Sequence, residues 1–119
     1  MFLDRLSTIG DRIPGSRALC LVDHDGIPVE SVSSASEVDL DMLAAELIHQ
    51  MQAIASDHRD LDMGAVEQLT VNTERLTLMV SSVGFGYYLL LALEPDANQG
   101  RARFELRRAR LALADDLNV

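Results

Sequence analysis

Between Arg17 and Leu93 the apolar residues change period twice, from strand-like to helix-like and back, and few folds accommodate that order. Ala18, Leu19, Cys20, Leu21 and Val22 run into Asp23-His24-Asp25-Gly26, and Ile27, Val29 and Val32 follow. This predicts a strand, a tight turn with glycine where a positive φ is wanted, and a second strand. Leu40, Leu43, Ala44, Leu47, Ile48, Met51, Ile54 and Ala55 then recur at three- and four-residue steps, the pattern of one long helix with an apolar stripe. Three more strand-like runs follow, ending in the unbroken apolar stretch Tyr87 to Leu93. The spacing therefore predicts a β-β-α-β-β-β core.

Local signals set the expected boundaries. An opening helix runs from Phe2 to about Arg12, with Phe2, Leu6, Ile9 and Ile13 on one stripe. Ile13-Pro14-Gly15 ends it, because the residue before proline avoids helical geometry. Strands follow at Arg17 to Asp23 and Ile27 to Val32, then the polar connection Ser33-Ser34-Ala35-Ser36. Asp39 is placed to cap a long helix over residues 40–57, and His58 to Gly64 reads as an exposed loop. The third strand, Ala65 to Thr73, mixes Val66, Leu69 and Val71 with polar residues, as a half-exposed or edge strand does. The fourth strand spans Leu76 to Val83, and Gly84-Phe85-Gly86 turns into the fifth. Tyr87 to Leu93 lacks polar alternation, so it is expected at the centre of the sheet with both faces covered. A last helix, Asn98 to Asp115, buries Ala102, Leu106, Ala109 and Leu113.

At 119 residues the chain suits one domain spanning 1–119. Its 48% hydrophobic content is enough for a folded core. No apolar run reaches the ~18 residues of a membrane span. The N-terminus, Met-Phe-Leu-Asp-Arg, lacks the pattern of a secretory signal, and a lone Cys20 suits a reducing cytoplasm. The net charge of −9 is unevenly spread: residues 1–96 hold 5 Arg and 16 acids (−11), whereas residues 97–119 hold 5 Arg and 3 acids (+2). So acidic a surface repels phosphate backbones and argues against nucleic-acid binding. The basic C-terminal segment is either a solvated helix face or a dock for an acidic partner. All ten basic residues are Arg, which excludes a P-loop lysine or a Schiff-base lysine from this chain.

The chemistry-bearing residues mostly have structural readings. Asp23-His24-Asp25-Gly26 fits a hairpin turn, since adjacent turn residues point in different directions and no further ligand stands at metal spacing. His49 and His58, nine apart, are not a helical metal pair. Cys20, among Leu and Val, reads as a buried inert thiol. Of Tyr87 and Tyr88, one ring is expected in the core and one at the surface, where it is free to stack on a ligand. No spaced acid–base or nucleophile set, cofactor site or metal site emerges, so the chain is not expected to be an enzyme. The outer face of the long helix is more telling: beside Asp41, Glu46, His49, Gln50 and Gln52 it carries Met42, Ala45 and Ala53. Small and apolar residues there permit close approach by another protein.

Ile13-Pro-Gly15, then Ala18-Leu-Cys-Leu-Val-Asp-His-Asp-Gly-Ile-Pro-Val29, resembles the opening of a Roadblock (dynein light-chain type) domain. Val83-Gly-Phe-Gly-Tyr-Tyr-Leu-Leu-Leu-Ala-Leu93, Pro95 and Asn98-Gln-Gly-Arg-Ala-Arg-Phe-Glu-Leu-Arg-Arg-Ala109 resemble its last strand and helix. The nearest variety is the stand-alone bacterial, MglB-like type. The resemblance implies an α+β fold of order α-β-β-α-β-β-β-α. Its five-stranded antiparallel sheet has the long helix on one face and the terminal helices on the other. It also implies a homodimer, formed where third strands pair edge to edge and long helices pack, with Met42, Ala45, Ala53, Val66, Gln68 and Thr70 at the seam. The implied partner is a small Ras-like GTPase whose nucleotide cycle is adjusted without a donated catalytic residue. His49, Gln52 and Ser56 are the expected contacts, and Arg103, Arg107 and Arg110 the alternative surface. A passive scaffold or adaptor role is the competing reading.

Overall fold

The computed structural model describes residues 2–33 and 40–117. Helix α1 (Phe2–Asp11) leads into strands β1 (Ser16–Val22) and β2 (Pro28–Ser33), then helix α2 (Asp41–Asp57). Strands β3 (Gln68–Asn72), β4 (Thr77–Gly84) and β5 (Tyr87–Leu93) follow, and helix α3 (Gln99–Leu117) closes the described chain. The element order is the expected α-β-β-α-β-β-β-α. Asp39 as a helix cap, and the side chain of Phe2, lie outside the described residues. One short feature was not anticipated: a 3-10 turn, Arg59–Leu61, inside the loop after α2.

All strand pairs are antiparallel, in the order β2-β1-β5-β4-β3. The unbroken apolar stretch is therefore the middle strand. Leu89, Leu90, Leu91, Ala92 and Leu93 have no exposed surface, and each buried leucine is worth roughly 1.5–3 kcal/mol relative to exposure. Because side chains alternate across a strand, β5 feeds two cores. Leu89, Leu91 and Leu93 pack with Leu6 and Ile9 of α1 and with Leu106, Ala109 and Leu113 of α3. Leu90 and Ala92 pack with Ala44, Leu47, Ile48 and Met51 of α2. The long helix thus covers one face of the sheet and the terminal helices the other.

Both tyrosines are half-buried, and neither is free at the surface as expected of one of them. Tyr87 leans on the core under α1 and α3, and Tyr88 on the core under α2. Strand β3 is shorter than its apolar pattern suggests, because Ala65 and Glu67 are exposed and only Val66 turns inward. Side-chain contacts cap and fasten the terminal helices. The Asn98 side chain accepts the Arg101 amide at 3.0 Å and caps α3. Arg5 of α1 meets Asp116 of α3 at 2.6 Å.

Candidate interaction surface

The β1–β2 turn and helix α2 are joined as one unit. The Asp23 carboxylate accepts the amides of Asp25 at 2.9 Å and Ile27 at 3.0 Å, which shapes the turn from its own first residue. Gly26 takes φ +85°, and a Cβ built there would lie 2.7 Å from the Ala45 Cα. Backbone therefore rests directly on the helix, and only a glycine against an alanine permits it. The Gln52 amide donates to the His24 carbonyl at 2.8 Å, two turns further along α2. Ala45 and Gln52, expected to meet other molecules, thus also have partners within the chain, while Gln52 remains exposed. Their small size and polarity serve the docking of this turn, a tertiary contact with no signature in helical periodicity.

Further residues of the outer face of α2 are exposed among the described residues. Met42 is 83% exposed, His49 is exposed and Ala53 is partly so. The Ser56 hydroxyl donates back to the Ala53 carbonyl at 3.4 Å. At the C-terminal half of the helix, Met51, Gln52, Ala55 and Ser56 face Met63, Val66 and Tyr88 across a cleft of about 420 Å³. Cys20 lies under α2 with no exposed surface. Burial, with a smaller contribution from the Asp41 carboxylate, pushes its thiol up to about 11, so the thiolate is suppressed.

Strand β3 is an edge among the described residues. The Ser82 amide donates to the Glu67 carbonyl and the Thr73 amide to the Leu76 carbonyl, at 2.8 Å each. In an antiparallel ladder these bonds recur at every second residue, so the odd positions of β3 face β4. The backbone N–H and C=O groups of Gln68, Thr70 and Asn72 therefore point to the open edge. Their side chains lie on the α3 side, where the Asn72 side-chain Oδ1 accepts from the Thr77 hydroxyl at 3.0 Å and the Gln99 side-chain amide at 2.8 Å. Val66, Gln68 and Thr70 are each half-buried along this edge.

The three arginines of the alternative surface stand on α3, across the sheet from α2. Arg103 is half-buried, and Arg107 and Arg110 are exposed. A buried carboxylate on the same helix escaped the sequence reading. Glu105 is 1% exposed, with Arg101 and Arg108 each at 3.4 Å. Its flanking spacing, Arg at four residues before and three after, was the available signal.

Comparison with known proteins agrees with this architecture. The Roadblock/LC7 domain of Streptomyces avermitilis superposes with a TM-score of 0.85 at 21% identity, over 97% of this chain and 96% of that one. The gliding protein MglB of Thermus thermophilus gives 0.81 at 23%, over 94% and 84%. MglC of Myxococcus xanthus gives 0.67 at 28%, over 96% and 97%. No curated protein matches the chain significantly. The family model of the Roadblock/LC7 domain matches residues 10–93, which span all five strands and the long helix, and on that match the chain belongs to the Roadblock/LC7 domain family.

Proposed function

We propose that this protein is a homodimeric regulator of a small Ras-like GTPase, altering the partner's nucleotide cycle without donating a catalytic residue. Membership of a family of interaction domains supports a binding role, and the resemblance of the sequence to the stand-alone bacterial variety supports the GTPase. The single observation that carries the dimer is the free edge of β3. Symmetric antiparallel pairing about Thr70 sets Gln68 opposite Asn72 of a second copy and uses the free backbone groups of all three residues. Val66 lies beside that seam, Met42 and Ala53 are the residues of α2 at which the two long helices meet, and His49 and Ser56 supply a platform for the partner. The same reading makes the chain one domain, working in the cytoplasm.

Two measurements test it. Light scattering should give a dimer at micromolar concentration, and Ala53→Arg should weaken it by bringing like charges together. Titration with a small Ras-like GTPase, loaded with GDP and then with a GTP analogue, should show binding that depends on the nucleotide. Equal absence of binding in both states removes the regulator reading and leaves the scaffold.

A further inference from the structure

Helix α3 has an outward surface that neither core uses. Phe104 and Leu111, 52% and 79% exposed, stand two turns apart on the same side. With Arg107 and Arg108 they line an open apolar cleft of about 330 Å³. The Arg108 guanidinium lies over the Phe104 ring, 6.0 Å from its centre. Arg107 also faces a neighbouring cleft of about 270 Å³, lined by Arg110, Gln68, Ser81, Ser82 and Glu67. One arginine thus borders both a greasy strip and a polar notch.

The positive charge here is uncommitted. Glu105 is taken by Arg101 and Arg108, and Asp116 by Arg5. Among the described residues no ion pair engages Arg103, Arg107 or Arg110. On a chain of net charge −9, free cationic groups beside exposed apolar ones select a ligand that is both anionic and apolar. Arginine forks match carboxylates in pairs, and Glu67 in the same notch repels dense polyanions.

We propose that the outer face of α3 docks an acidic amphipathic segment of another protein, a carboxylate entering the Arg107–Arg110 notch while an apolar side chain lies between Phe104 and Leu111. This goes beyond the GTPase reading and stands without it. The sheet separates α3 from α2, so both faces can be occupied at once and the molecule can bridge two proteins.

The probe is a fluorescent synthetic helix with Glu and Leu on one face, followed by anisotropy at low and physiological salt. The unaltered protein should bind it, less tightly as salt rises. Arg107→Ala with Arg110→Ala should weaken binding about tenfold or more, as expected for lost charge-assisted hydrogen bonds. Phe104→Ser should weaken it at every salt concentration, and Glu67→Gln should tighten it. All four positions are exposed, and circular dichroism checks that each variant is folded. Undiminished binding by the double arginine variant, equal binding of a Gln-for-Glu peptide, or tighter binding of polyphosphate than of the peptide overturns the proposal.

Discussion

Gly26 shows how much one missing side chain decides. Its positive φ closes the turn, and its lack of a Cβ lets the backbone lie on Ala45. Gly26→Ala combines left-handed strain with a backbone clash, so a loss of about 1–3 kcal/mol is expected in urea denaturation. An unchanged midpoint would show that turn and helix are not in contact. Cys20 gives a pH signature with a definite sign. Its thiol titrates near 9 when unfolded and about 11 when buried, so in the interval the unfolded chain has lost a proton that the folded chain keeps. Stability contributed by this group is fully present below pH 9 and falls as pH rises toward 11. Cys20→Ala should flatten that decline. An aromatic disulfide reagent should react with the native protein near neutral pH only after denaturation.

At the scale of elements, β3 offers a sharp discrimination. Proline removes one backbone N–H, and its effect depends on which edge that group faces. Thr70→Pro removes a group that points outward, so the monomer fold should persist by circular dichroism while the dimer is lost. Val71→Pro breaks the ladder to β4 and should unfold the chain. If Thr70→Pro still dimerises, the edge is not the seam. The elements were legible in the sequence wherever one face of the pattern decides burial: β5 from its unbroken apolar stretch, α2 from its stripe, the hairpin from Asp-Gly. What was not legible came from contacts between elements. Ala45 and Gln52 read as an invitation to an outside partner, because helical spacing says that a residue is small or polar but not what stands over it. Glu105 drew no reading from the sequence, because its burial depends on how α3 rolls onto the sheet. The arginine surface was readable as charge and the buried stripe of α3 as spacing, but the clefts that Phe104, Leu111 and Arg107 line were not, since they depend on how α3 sits against β3 and β4.

Across the whole molecule, two cores share one strand. Leu90 belongs to the core under α2 and Leu91 to the core under α1 and α3. Truncating either to alanine should cost about 2–5 kcal/mol, whichever helix layer it underlies. Fluorescence and circular dichroism should still report a single coincident transition, because neither layer has a floor without β5. A variant in which α2 melts while α1 and α3 persist would refute that coupling. The central position of β5 also has a temporal consequence. The chain makes β1 early and its partner β5 late, joining Ser16 to Leu93 across most of the sequence. As the protein leaves the ribosome, the β1–β2 hairpin and α2 emerge well before the strand that holds them together. Such long-range closure slows folding and leaves the inner edge of β1 open to mispairing in the interim. A fragment ending at Leu76 therefore contains three of the five strands and should show no stable fold.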